Sequence, residues 1–310
     1  MSRPISVCTI AVLTLLVSLS WAAASPFGID YTLDATGLDV RNGSFGLFLM
    51  GSQSPHYRFY DIVENTTDYH VLFVRMFEYT DTNSDGGYTH DSDVVVGSVI
   101  ALQSGTWTFS NFVTQEESGE VVQLDFELAS SPGSFGPQQP SLQIVLVNHI
   151  EVSKNASLKF DVILSGWNWH NTNNSLAVGI VISIGQHSSG QLNRPTVATG
   201  AGNVSFDNGY LSYPSTAEVS SQTVGVTASV NGANPQNNGE QIYFCFPYFN
   251  ETLTYDPTIG LIEISSITTT PTSPTPTSPP SLFDSTRILA VGVGVTIIIA
   301  IVVKTQSNND

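Results

Sequence analysis

The sequence predicts an all-β protein: an antiparallel β-sandwich ectodomain, built as one large or two packed sandwiches, plus a single C-terminal transmembrane helix. Three observations predict it. Apolar residues between positions 25 and 265 recur with a period of two. The strand-like runs are short and are separated by turn residues such as Asp85-Gly86-Gly87, Asn231-Gly232 and Asn237-Asn238-Gly239. No stretch of this region carries a capped stripe with a period of 3.6 residues.

Composition limits the function classes. Of 310 residues, 41% are hydrophobic, enough for a sizeable core, which excludes wholesale disorder. Acidic residues number 26 against nine basic ones, a net charge of -17. Binding to phosphate backbones needs Lys and Arg, so no nucleic-acid partner is expected. The remaining polarity comes mostly from Ser, Thr, Asn and Gln, which suits a secreted or surface protein.

At the N-terminus Arg3 precedes an apolar run over residues 5–19 and then Ala22-Ala23-Ala24-Ser25. A basic start, an apolar stretch and a small-residue site describe a secretory signal peptide over residues 1–24. The ectodomain then covers residues 25–265. Phe27, Ile29, Tyr31 and Leu33 alternate with polar residues and Gly28, as do Val122, Leu124, Phe126 and Leu128, and Leu158, Phe160, Val162 and Leu164. Further strands are expected over 45–50, 56–63, 70–80, 94–102, 106–113, 142–152, 175–184, 210–213, 217–230 and 240–247. The Pro- and Gly-rich residues 130–140 mark either a boundary between two sandwiches or a long hairpin loop.

The sharpest local signal lies between two of these strands. Asp81, Asn83, Asp85 and Gly86 match positions 1, 3, 5 and 6 of a calcium loop, in which alternate oxygens converge on a hard cation and glycine permits the sharp turn. Gly87 would add its carbonyl. Ser92 stands where the bidentate Glu belongs, so Asp91 or Asp93 would have to fill that vertex. The expected ion is structural Ca2+, bound at about 10⁻⁴ to 10⁻³ M as in extracellular modules. The same residues also read as a solvated acidic turn.

Trp167 and Trp169 stand two residues apart, so on a strand both face one way. They form either core or an exposed platform for stacking on sugar rings. Cys8 falls in the signal peptide, which leaves Cys245 in an apolar run as a buried thiol with no disulfide partner.

Residues 266–281 read SITTTPTSPTPTSPPS. Repeated Pro forbids helix and ladder pairing, and the segment is expected to be an extended, O-glycosylated stalk reaching about 50 Å. Residues 288–303 are uncharged and span about 24 Å as a helix, with Arg287 and Lys304 placed to snorkel, so one membrane span is expected before a cytoplasmic tail over 304–310. N-glycosylation sequons begin at Asn42, Asn65, Asn155, Asn173, Asn203 and Asn250.

The runs Phe77-Glu78-Tyr79-Thr80-Asp81-Thr82-Asn83-Ser84-Asp85-Gly86-Gly87-Tyr88, Leu158-Lys159-Phe160-Asp161-Val162-Ile163 and Phe246-Pro247-Tyr248-Phe249-Asn250-Glu251-Thr252-Leu253 resemble those of uncharacterised single-pass, stalked surface proteins of archaea and microbial eukaryotes. That resemblance implies no activity.

There is no His-Glu-x-x-His helix, Gly-x-Ser-x-Gly elbow, P-loop or dinucleotide fingerprint. The histidines at 56, 70, 90, 149, 170 and 187 include no pair at ligand spacing. The expected function is therefore that of a cell-surface type I membrane glycoprotein, with a calcium-stabilised sandwich serving adhesion, recognition or envelope structure. Its partners would be the membrane and an extracellular protein or glycan. The competing reading is a membrane-anchored hydrolase of external polysaccharide, identifiable by two carboxylates roughly 5 to 10 Å apart in a cleft.

Overall fold

The alternating runs sort into two antiparallel sheets whose apolar faces meet. The computed structural model describes residues 28–262 apart from 52–53, 154–155, 188–189 and 235–237. The expected signal peptide, stalk, membrane span and tail lie outside the described residues, as does the sequon at Asn155. No helix among the described residues is long and apolar enough to cross a membrane.

The first sheet opens the chain with β1 (Ile29–Leu33), β2 (Gly37–Asn42), β3 (Phe45–Met50), β4 (His56–Asp61), β5 (Thr67–Thr80) and β6 (Val94–Ala101). A 3₁₀ turn over Leu102–Ser104 leads into the second sheet, with β7 (Trp107–Glu117), β8 (Glu120–Ser130), β9 (Gln143–Glu151) and β10 (Ser157–Ser165). The chain returns to the first sheet for β11 (Ser175–Gln186) and β12 (Leu192–Asn193). It then builds β13 (Val197–Gly200), β14 (Asn203–Phe206), β15 (Gly209–Ser212), β16 (Thr216–Val219) and β17 (Gln222–Gly225) in the second. After β18 (Thr227–Asn234) and β19 (Gly239–Phe246) in the first, β20 (Leu253–Tyr255) and β21 (Thr258–Leu261) close the second.

The order of the first sheet is β1-β2-β3-β4-β5-β11-β19-β18, with β6 added to β5 and β12 to β11. The second runs β13-β14-β15-β21-β10-β20-β16-β17, with β9, β8 and β7 added in turn from the other edge of β10. The sequence expectation of one strand over 217–230 fails here. Ser220 and Ser221 both take positive φ, so the chain turns back after β16 and splits that stretch into three strands. Residues 131–142 join β8 to β9, which are neighbouring antiparallel strands, and so form a hairpin connection.

One apolar core lies between the sheets. Leu47, Tyr57, Phe73, Ile180 and Phe244 from the first meet Leu124, Phe126, Leu146, Phe160 and Tyr255 from the second. A buried polar tie crosses it. The Tyr57 hydroxyl donates to Asn148 Oδ1 at 2.9 Å, and Asn148 Nδ2 donates to the Leu146 carbonyl at 2.9 Å. A satisfied pair of this sort fixes the register of one sheet over the other, because any slip would leave both groups unpaired.

The outer face of the first sheet departs from the wet face that strict alternation predicts. Strand β11 presents Ala177, Gly179, Val181 and Ser183 outward, and all are buried. These small residues form a trough between longer side chains of β5 and β19. Phe77, Tyr79, Tyr88, Ala177, Tyr243 and Cys245 make a second apolar cluster on this outer side.

Candidate ligand-binding face

The cover over the Ala177 end of that trough is the loop expected to hold calcium. Tyr88 is 5% exposed and meets the rings of Phe77, Tyr79 and Tyr243 edge-on, with centroids 4.7, 5.3 and 5.0 Å away. Its N–H donates to Cys245 Sγ at 3.2 Å, and its carbonyl accepts from Ser229 Oγ at 2.9 Å and Asn231 Nδ2 at 2.8 Å. The Tyr79 hydroxyl donates to the Gly86 carbonyl at 3.2 Å. Gly86 has φ +79°, and a Cβ there would sit 2.9 Å from Thr227 Oγ1, so glycine is needed twice over. The loop is thus bolted to β5, β18 and β19. Burial pushes the Cys245 thiol up to about 11, which leaves it protonated and inert at neutral pH.

The calcium-loop side chains are mostly engaged within the loop. Asp81 Oδ2 accepts from the Gly86 N–H at 2.9 Å, Asn83 Nδ2 donates to Asp85 Oδ2 at 2.8 Å, and Asp85 Oδ1 accepts from the Gly87 N–H at 2.8 Å. Asp93 accepts from the N–H groups of Thr82 at 3.0 Å and Thr89 at 2.7 Å, so its carboxylate ties the base of the loop. Asp91 is exposed. Among the described residues no three carboxylates, imidazoles or thiols are grouped to hold a metal. One observation fits a cation: Asp81 Oδ1 is buried without a hydrogen-bond partner.

The two tryptophans do not stand on a strand. Strand β10 ends at Ser165, and Gly166 follows with φ +72°, where a Cβ would lie 2.1 Å from the Ser141 carbonyl oxygen. Trp167 is 8% exposed and belongs to the core. Trp169 is half-buried against Tyr248 and Phe249, with centroids 5.1 and 5.3 Å away. The two rings therefore do not form an exposed pair. Four sequon asparagines, Asn65, Asn173, Asn203 and Asn250, are exposed. Asn42 is 1% exposed on β2, and its Nδ2 donates to the Glu151 carbonyl at 3.0 Å, so the folded chain does not present it.

Beside Trp169 a carboxylate sets the loop after β10. Glu78 is fully buried and accepts from the His170 N–H at 2.9 Å, the Asn171 N–H at 3.0 Å, the His170 ring at 3.0 Å and Asn174 Nδ2. Burial alone would raise its pKa. The hydrogen bonds from His170, Asn174 and Asn171 outweigh that and hold it below the usual range.

A concavity that no motif announced lies further along the same outer face. Between Ile180↔Phe73 and Gly179↔Arg75 the ladder of β5 and β11 shifts, making Val74 an extra residue. On the other edge, β5 changes partner. Pairing with β4 starts at His56↔Leu72, pairing with β6 ends at Ala101↔Arg75, and a second irregularity follows at Gly97 with φ +70°. Bulges re-aim side chains. Here the gap and the bulge open a cleft of about 210 Å³, lined by Ser54, Leu72, Val74, Arg75, Val99, Ala101, Gln103 and Asn234. The Arg75 stem crosses Gly179, where a Cβ would come within 3.1 Å of its Cγ. Arg75 Nη2 donates to Gln241 Oε1 at 3.1 Å, and Gln241 is itself fixed by Asn234 Nδ2 and by the Ile180 carbonyl, each at 2.7 Å.

Two carboxylates do face each other elsewhere, on the outer side of the second sheet. Asp125 Oδ1 lies 2.9 Å from His149 Nδ1, and Asp161 Oδ2 lies 3.4 Å from His149 Nε2. The imidazole fills the space between them, which leaves no room for a glycosidic bond. No protein-family model matches the chain, and no curated protein is similar to it.

Proposed function

We infer that this chain is a cell-surface type I membrane glycoprotein whose sandwich binds a ligand outside the cell, as an adhesion or recognition module. The observation that carries this reading is the makeup of the Arg75 cleft. Its polar groups are a guanidinium, two carboxamides and a hydroxyl, which suit recognition, and among the described residues its lining holds no carboxylate, thiol or imidazole to act as acid, base or nucleophile. The signal peptide, stalk and span read from the sequence supply the outward presentation, and the four exposed sequons agree with it. Structural calcium belongs to the same reading. Asp81, Asn83 and Asp85 would hold it, supported by the buried, unpaired Asp81 Oδ1, while Asp93 secures the loop through the peptide N–H groups. The test is a glycan and protein array probed with the ectodomain, residues 25–265. Saturable binding to a defined component is expected. Turnover of an array polysaccharide without saturable binding would instead favour the hydrolase.

A further inference from the structure

We propose that the Arg75 cleft is a binding site for the carboxylate of a sugar acid, the acidic monosaccharide entering as a terminal residue. This rests on the recognition reading above and names its ligand class.

Charge singles out Arg75. Every other cation described in this acidic chain has a carboxylate of its own. Arg41 lies 3.9 Å from Asp39, Arg58 3.1 Å from Asp68 and Lys159 3.0 Å from Asp256, and Arg194 pairs with Glu240. Arg75 has none. Its single hydrogen bond goes to the neutral Gln241 amide, although the net charge of -17 makes carboxylates the commonest charged group available. A guanidinium offers five N–H groups in a planar fork that matches a carboxylate with two parallel bonds, so most of its capacity is open toward the cleft.

The side chain is also pre-set. Its stem fits over Gly179, its head is held by Gln241, and Gln241 is locked by Asn234 and the Ile180 carbonyl. Ordering costs that usually weaken Arg contacts are thus already met in the fold.

The remaining lining selects the rest of the ligand. Leu72, Val74, Val99 and Ala101 give an aliphatic wall for the C–H face of a ring, while Ser54, Gln103 and Asn234 surround it with hydrogen-bonding groups suited to hydroxyls. A plain alkyl acid would leave those groups facing apolar atoms. The volume of about 210 Å³ accommodates one monosaccharide.

The test uses the full chain in detergent, titrated by calorimetry with methyl glucuronoside, its neutral methyl ester, methyl glucoside and hexanoate. The acid is expected to bind at least tenfold more tightly than each of the other three. Arg75→Gln should abolish that preference, Arg75→Lys should weaken binding about tenfold, and Gln103→Ala, an exposed position that the fold does not depend on, should weaken it severalfold. Equal binding of the acid and its ester, or wild-type affinity in folded Arg75→Gln, would overturn the carboxylate assignment. Hexanoate bound as tightly as the glucuronoside would overturn the sugar. Array binding to a neutral component that survives Arg75→Gln would sink this assignment while leaving the recognition reading standing. Silence from both the array and the titrations would sink both.

Discussion

The Tyr88 amide donates to the sulfur of Cys245 at 3.2 Å, joining a surface loop to a strand 157 residues further along the chain. The contact converts an acidic hairpin connection into a lid on the first sheet. It also accounts for the outer burial of the C-terminal half of β19, where Tyr243 and Cys245 lie beneath that loop.

Removing the Tyr88 ring should therefore cost more than a loop substitution normally does. Tyr88→Ala is expected to destabilise the fold by roughly 3 kcal/mol or more in chemical denaturation, and Tyr88→Phe to cost far less, because the ring makes the three edge-on contacts. Cys245 reports the same event. In the wild type it should resist thiol reagents at pH 8 until the protein unfolds, and in Tyr88→Ala it should react under native conditions. A wild-type thiol that reacts freely would show that the lid is not closed in solution.

Glu78 supplies an acid-sensitive joint. Its pKa is lowered in the fold, so its contribution is complete above the ordinary glutamate value of about 4.3 and is lost as pH falls through the depressed folded value. Glu78→Gln should cost roughly 1–3 kcal/mol at neutral pH, since an amide nitrogen would then face donors from His170 and Asn171. The variant should also lose less stability than the wild type below pH 4. Equal losses would place the acid sensitivity elsewhere.

A second joint makes stability depend on pH over a higher range. His56 Nε2 lies 2.8 Å from His70 Nδ1 on the outer face of the first sheet, near Arg58, Asp68 and His187. Burial, then Arg58, lowers His56 to about 4, while burial, His56 and Arg58 lower His70 to about 3. The fold holds both rings neutral and the unfolded chain protonates them from about pH 6.5 downward, so stability should fall as pH drops from 6.5 toward 4 and stay flat above 7. Replacing both with Gln should flatten that slope in urea denaturation followed across pH. An unchanged slope would mean that other groups carry it.

Calcium offers a direct check on the lid. Millimolar calcium should raise the melting temperature of the wild type by several degrees, and Asp81→Ala combined with Asp85→Ala should remove the rise. Asp93→Asn should lower the melting temperature with or without calcium, because Asp93 serves the Thr82 and Thr89 amides. A wild-type melting temperature indifferent to calcium would leave the loop as a hydrogen-bonded turn.

Much of the fold was legible because period-two patterning is a one-dimensional signal. Leu124, Phe126 and Leu128 read as the inner face of β8, and they are. The double burial of β11 was visible only as a near-continuous apolar run, since its outer residues Ala177 and Gly179 are small rather than polar. The loop over 81–93 was legible as acidic, whereas its docking depended on one aromatic, Tyr88, whose three ring partners are scattered over β5 and β19. The Arg75 cleft left no trace in the sequence. It arises from a one-residue slip at Val74 and from the exchange of β4 for β6 on one strand edge, and both exist only once the strands pair.

Glycan mapping and N-terminal sequencing of the chain purified from its native source bear most directly on whether this sandwich faces the outside world. A mature start near Ser25, sugars on Asn65, Asn173, Asn203 and Asn250, and a bare Asn42 are the predicted result. An intact Met1 terminus with no sugar on any of these asparagines, or a glycan on the buried Asn42, would contradict it.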